Sequence, residues 1–489
     1  MILPLMLAAA LAQTSTAATP AKASPLTDWA STLRKDARAF HDTIAANHPG
    51  PVNRLDPGFA RRNDAGLALT LARAAKVRDY PGYLWAMRGY VAGFDDGHVA
   101  YSITDESLSL PTRWPGFLTG FDERGRQVVM TREDDAPVPL GAELAACDAV
   151  PAARLAAEQV GAFRGRWALS SQRVANGGRL FVDAGNPFVM RPRRCRFVVN
   201  GTTREVTLNW RELTDAAFWE RLNATSRRAR PPIGARTLRD GTRWFSLSDF
   251  DGDPDGAAAK GLVPLIAAMK QDRNAVASAP RIVLDLRGNN GGSSDWSRQI
   301  AEILWGKAAI EALDIDSKGV EWRASPANLA TIEGYRAAWA TAGSVSPEAR
   351  AWADRTAEGL KAALAAEQPL WREPDEVEAP LADAPVAPPT ARVSVLTDAG
   401  CASACLDAVD LWRALGAVQI GQETSADTLY MDIRSDPMPS GLAEAIVPMK
   451  VYRGRKRGSN VPWVPVHRYS GDMRDDAALE RWVITLPPS

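Results

Sequence analysis

Three short segments of this chain carry residue types suited to acyl transfer. Ser403 sits in Thr397-Asp-Ala-Gly-Cys-Ala-Ser-Ala-Cys405, after the apolar run Ala391-Arg-Val-Ser-Val-Leu396 and before an amphipathic stretch from Leu406 to Leu415. The pattern predicts a strand, a tight turn of small residues and a helix. Backbone N–H groups at a helix N-terminus favour an anion. A serine there can attack a carbonyl while the N–H of Ala404 helps to hold the oxyanion. A serine at that place can equally be a plain N-cap. His98 follows Asp96-Gly97 in a turn and precedes a short strand, which suits a presented side chain, although a lone histidine is commonly structural. The other histidines are His41, His48 and His467, of which His41 and His48 read as helix-surface or turn residues.

A second strand and turn must supply the rest of an oxyanion site. Arg281-Ile-Val-Leu-Asp-Leu-Arg-Gly-Asn-Asn-Gly-Gly-Ser-Ser294 runs from a buried strand into glycines, and Trp296 to Trp305 reads as a helix. Adjacent glycines let a backbone turn its N–H groups toward a ligand, so Gly291 or Gly292 is the expected partner of Ala404. Asp285 and Arg287 alternate with apolar residues and are expected to pair structurally, while Asn289 holds the turn. Asp95, Asp96, Glu423 and Asp427 are candidates to orient the histidine; Asp427 also reads as a turn-capping residue. Cys401 and Cys405 bracket the serine. At helical spacing their Cβ atoms would lie about 6 Å apart, beyond the ~3.5–4.5 Å of a disulfide. They are therefore expected to be small packing residues, with a cysteine nucleophile as the rival.

Taken in order, the segments resemble the serine peptidase family of C-terminal processing peptidases, tricorn protease and the interphotoreceptor retinoid-binding protein repeats. Leu284-Asp-Leu-Arg-Gly-Asn-Asn-Gly-Gly292 is similar to the family's D-x-R-x-N-G-G-G segment, and Cys401-Ala-Ser-Ala404 to its S-A-S-A nucleophile segment. Gly421-Gln-Glu-Thr424 resembles the G-E-x-T turn, Met438-Pro-Ser-Gly441 the L-P-S-G near the domain end, and Asp96-Gly-His98 the D-G-H of the histidine-using branch. The resemblance covers roughly residues 80–485. It implies an α/β fold with a crotonase/ClpP-like ββα core, an N-terminal helical domain and a β-rich module like a PDZ domain. It implies peptide-bond hydrolysis through an acyl-enzyme, with Ser403 as nucleophile, His98 as general base, and a peptide or unfolded protein as substrate. Three positions depart from the pattern. No lysine lies in Ser425-Ala-Asp-Thr428, where the processing branch keeps its base; Gly97 replaces the serine of the tricorn branch; Asn290 replaces a glycine. Two rivals follow: a catalytically silent ligand- or peptide-binding protein on the same fold, and an acyl-CoA enzyme on the related crotonase core.

Composition is ordinary for a globular protein, with 46% hydrophobic and 24% charged residues over 489 positions. The formal net charge is zero, which leaves no basic footprint for nucleic acid. The sequence contains no zinc-ligand spacing, no phosphate-loop motif and no transmembrane run, and no cofactor is expected. Met1 to Ala12 is apolar and is followed by Ala/Ser/Thr-rich sequence. It reads as a secretory signal, though without a basic residue before the apolar run, so the protein is expected to be exported to a periplasm or secreted. The organisation expected is a signal peptide at 1–23, a helical domain at 24–98, a β-rich module at 99–240 and an α/β core at 241–489. A helical insertion at about 306–390 reads as a cap over the cleft. Cys147 and Cys195 fall in the β-rich region and could pair.

Overall fold

The computed structural model describes residues 28–226, 228–313, 319–341, 347–374 and 386–487. The expected signal segment and the acidic, proline-rich stretch at 375–385 lie outside the described residues. The chain divides into two compact units. Among the described residues no helix is long and apolar enough to cross a membrane.

One unit comprises Arg228–Asp432 and the segment from Lys450 onward. Its centre is a six-stranded sheet in the order Gly234–Thr237, Arg243–Ser246, Arg281–Asp285, Arg392–Thr397, Val418–Gly421, His467–Arg468. The first pair is antiparallel and every later pair is parallel. A parallel sheet needs both faces covered, so its strands read as continuous apolar runs. Arg281–Asp285 is buried at every position. Side chains alternate between faces. Ile282 and Leu284 pack with Val395, Leu406, Val409 and Trp412. Val283 packs on the other face with Trp244, Leu396, Ile420 and the Leu479 and Val483 side chains of the Asp476–Thr485 helix.

Asp285 and Arg287 pair as expected, buried at 2.7 Å. Trp244 Nε1 donates to Asp285 Oδ2 at 2.9 Å, so both charges are satisfied inside the sheet. The insertion is not purely helical. Its helices Pro326–Thr341 and Pro347–Ala365 are flanked by two short strands, Val320–Arg323 before them and Leu370–Arg372 after them. Val320–Trp322 pair with Lys450–Tyr452. Trp322 and Trp352 pack at 5.8 Å, which ties the insertion's strands to its helices. Residues 228–240, expected in the β-rich module, belong to this unit through the Gly234–Thr237 strand.

The second unit comprises the described residues up to Ser226 together with Ile433–Met449. Helices Trp29–Asn47, Phe59–Arg73 and Tyr80–Ala92 bury Leu33, Phe40, Tyr83 and Tyr90. His41 is on a helix as expected. His48 lies at the expected turn but is fully buried: its Nδ1 accepts the Gly50 N–H at 2.8 Å and its ring stacks on Phe59. Burial pushes its pKa well below the ordinary value. The module that follows is a six-stranded antiparallel sheet built on Phe117–Phe121, Gln127–Arg132, Glu143–Cys147, Arg194–Val199 and Thr202–Thr207. Asn200 and Gly201, both at positive φ, make the hairpin turn that their types predict. Cys147 and Cys195 face each other across adjacent strands and form a disulfide.

Candidate active site

Two turns leave the carboxyl ends of neighbouring parallel strands, where Asp285 is paired with Leu396. In open α/β sheets that is where ligand crevices form. The glycine turn follows Arg281–Asp285 and the serine turn follows Arg392–Thr397. They are stitched together by hydrogen bonds. Asp398 accepts the N–H of Gly288 at 3.1 Å and of Gly400 at 2.8 Å. Asn289 Nδ2 donates to Leu247 O at 2.7 Å, and Asn289 O accepts the Ala402 N–H at 3.4 Å. Asn289 thus holds the turn, as its position implied. Asp398 was not recognised from the sequence; the signal available was an Asp two residues before a glycine, the pattern of a side chain closing its own turn. It is buried and its carboxyl is pushed up to about 6. Burial is the larger cause, opposed by the two backbone N–H groups.

Ser403 sits at φ +55°, ψ −127°, at the head of the Ala404–Ala414 helix. This left-handed conformation is costly for a residue with a Cβ. The hydroxyl makes no capping hydrogen bond, so the plain N-cap role does not describe it. The backbone N–H of Ser403 is held by Asp427 Oδ2 at 2.6 Å. Asp427 is buried, and its own carbonyl takes the Asn460 N–H at 2.8 Å. Glu423 is half-buried in the turn after Val418–Gly421.

The first N–H groups of any helix lack intrahelical partners. Leu406 N–H turns back to Ser403 O and Cys405 N–H to Ala402 O, while that of Ala404 has no acceptor among the described residues. Gly291 has φ +101°, and a Cβ there would lie 2.6 Å from Ser403 Cβ and 2.9 Å from Ala404 N. Only glycine fits so close to the serine turn. Its N–H, however, donates to Asn289 Oδ1 at 2.9 Å and is engaged inside its own turn. Of the expected glycine pair, this leaves the N–H of Gly292, at φ +129°, without an acceptor among the described residues. Asn290 is exposed and does not adopt a positive φ, so it replaces a glycine without strain.

Cys401 and Cys405 correct the expectation that they remain unpaired: they form a disulfide, with Cα atoms 5.3 Å apart. Helical spacing does not apply to them. The helix begins at Ala404, and the left-handed Ser403 folds Cys401 back beside Cys405. No free cysteine remains, which removes the rival thiol nucleophile. The helix is further fixed by Asp407, whose Oδ2 accepts Ser294 Oγ at 2.7 Å and which also pairs with Arg455.

His98 belongs to the other unit, in the turn between helix Tyr80–Ala92 and strand Ala100–Ile103. Buried Asp96 accepts the His98 backbone N–H at 2.8 Å. The same carboxylate lies 3.7 Å from His98 Nδ1, too far for a hydrogen bond, and Nδ1 has no hydrogen-bond partner among the described residues. Asp95, at φ +52°, accepts the Arg166 N–H at 2.6 Å. A Cβ on Gly97 would come within 2.7 Å of the Arg166 guanidinium, the movable end of a long side chain.

No family model and no curated protein matches the sequence. Solved structures do match in fold. Mature CPAF superposes with a TM-score of 0.60 at 13% identity, covering 93% of this chain and 96% of that one. Mature CPAF complexed with lactacystin gives the same score and identity over 94% and 98% of the two chains. A serine-to-alanine variant of CPAF matches at 0.60 and 12% identity over 91% and 93%. The α/β architecture expected from the sequence is shared with mature CPAF.

Proposed function

We propose that this chain, sharing the fold of CPAF, is a serine peptidase that hydrolyses peptide bonds through an acyl-enzyme, with Ser403 as nucleophile and His98 as general base. The observation that carries this reading is the backbone of Ser403. A helix-leading serine is held at φ +55° with its hydroxyl withheld from capping, beside an N–H of Ala404 that has no acceptor among the described residues.

In the proposed mechanism, neutral His98 takes the hydroxyl proton as Ser403 Oγ attacks the scissile carbonyl. The N–H groups of Ala404 and Gly292 stabilise the oxyanion, one such donor being worth about 3–4 kcal/mol. The imidazolium then protonates the leaving amine, and water repeats the sequence on the acyl-enzyme. Asp96 lies 3.7 Å from Nδ1; closing that distance to a hydrogen bond would orient the ring and fix its tautomer. The substrate is a peptide or an unfolded protein. The protein is exported: two disulfides and no free cysteine suit an oxidising compartment.

The test is intact mass after treatment with a fluorophosphonate, on wild type, Ser403→Ala and His98→Ala. One adduct on wild type, lost in the first variant and formed at least a hundredfold more slowly in the second, is expected. A folded wild type that takes no adduct and cleaves no peptide from a library would sink the reading in favour of a silent binding protein.

A further inference from the structure

We propose that a cavity of about 610 Å³, lined entirely by residues 80–219, binds a small organic anion carrying two or more negative charges and an apolar portion. The shared chemistry is that of a phosphate ester or a di- or tricarboxylate. The proposal involves none of the residues assigned to peptide hydrolysis and does not rest on that reading.

Four arginines line the cavity: Arg88, Arg164, Arg179 and Arg191. Arg191 is neutralised by Asp183 at 2.9 Å. The other three form no ion pair among the described residues, and the Nε atoms of Arg164 and Arg179 are buried with no hydrogen-bond partner. The three lie close enough to feel one another. Burial, then Arg179 and Arg88, hold the Arg164 guanidinium well below its ordinary pKa. Burial and then Arg88 bring Arg179 down to about 10. Asp105, a carboxylate near the lining residue Tyr80, accepts the N–H and hydroxyl of Ser107.

Convergent, half-buried like charges without counter-charge disfavour the folded state. They are expected where the counter-charge arrives with a ligand, because a guanidinium fork matches carboxylate and phosphate oxygens. Aromatic rings hold these forks in place. Arg88 and Arg164 lie 4.8 and 5.7 Å from the Trp85 ring, and Arg179 lies 5.9 Å from Phe218 and 6.0 Å from Trp219. Arg191 lies 5.4 Å from Trp210. Stacking fixes the planes and leaves the edge donors free. The same rings give an apolar wall for the body of the ligand. The volume falls in the range of about 300–1,000 Å³ typical of small-molecule sites.

The experiment is titration of the full chain with phenyl phosphate, pyrophosphate and citrate, read by calorimetry and by the fluorescence of the lining tryptophans. Saturable binding of at least one probe is expected, weakened tenfold or more in Arg164→Gln and in Arg179→Gln and unchanged in Arg204→Gln on the exposed strand Thr202–Thr207. Preference for the phosphate probes assigns a phosphate ester, and preference for citrate a polycarboxylate. Without ligand, Arg164→Gln and Arg179→Gln should melt at or above the wild-type temperature, since each removes an uncompensated charge. Failure of all three probes to saturate, retention of binding in both variants, or a lower melting temperature in both would overturn the proposal.

Discussion

The Asp427 carboxylate accepts the Ser403 backbone N–H at 2.6 Å, and this bond anchors the one left-handed residue of the serine turn. The two residues are 24 positions apart. A charged acceptor is well suited to the task, because strain at Ser403 has to be offset by something fixed. Cys401 N–H, Cys401 O and Ala402 N–H are tied down as well, to Asp398, Ser425 and Asn289. The turn is therefore over-determined, as a strained site must be.

Asp427→Asn should release part of that anchor while keeping the shape. A hydrogen bond to a charged group contributes about 1.5–3 kcal/mol, so the rate of fluorophosphonate labelling at Ser403 should fall about tenfold to a hundredfold. An unchanged labelling rate would show that the elbow holds itself.

Gly291→Ala should be more severe. Its Cβ would meet Ser403 Cβ at 2.6 Å and Ala402 O at 2.8 Å, at a φ of +101°. Overpacking costs about 1–3 kcal/mol, and the strained backbone adds to it. Labelling should drop below detection while the far-UV circular dichroism spectrum persists. Gly201→Ala, in a hairpin turn with open space around it, serves as the control for positive φ alone.

The two disulfides should behave differently. Loop closure predicts about 4 kcal/mol for the Cys147–Cys195 pair, with a separation of 48, and about 2 kcal/mol for Cys401–Cys405, with a separation of 4. The Cys147→Ser/Cys195→Ser double variant should lower the melting temperature more. Cys401→Ser/Cys405→Ser should instead slow labelling of Ser403. Melting curves and labelling rates on both double variants check this, and equal effects on both readouts would count against it.

Asp398 should make stability fall with rising pH. Its folded-state pKa is raised to about 6 by burial. The protonated carboxyl is therefore the form the native state favours. That contribution is fully present below about pH 4 and is lost as pH rises through about 6, an effect of at most about 3 kcal/mol. Asp398→Asn should gain stability relative to wild type across this window and keep the gain above it. Parallel urea-denaturation profiles from pH 4 to 8 would refute the assignment.

Local chemistry was legible from the residues themselves. Apolar runs ending in small-residue turns marked the strands Arg281–Asp285 and Arg392–Thr397, and the amphipathic stretch after Ser403 marked its helix. These signals are short-range: side-chain periodicity and glycine content follow from the pleat and the turn. The Asp285–Arg287 pair was legible for the same reason, since the two charges stand two residues apart where the apolar strand runs into its turn.

Tertiary structure decided what depends on partners far along the chain. Nothing local to Asp427 says that it holds Ser403, and nothing local to Ala402 says that its N–H goes to Asn289 O. The Cys401–Cys405 disulfide was misjudged because a helix was assumed to start before Cys401. A single residue at positive φ, maintained by distant contacts, moved that start to Ala404. Arg88, Arg164 and Arg179 are ordinary surface-type residues in the sequence; only the fold gathers them into one cavity whose lining carboxylate, Asp183, is already paired with Arg191. Residue types and periodicity set the strands, turns and reactive side chains, whereas backbone strain, charge compensation and N–H allegiance are properties of the packed chain.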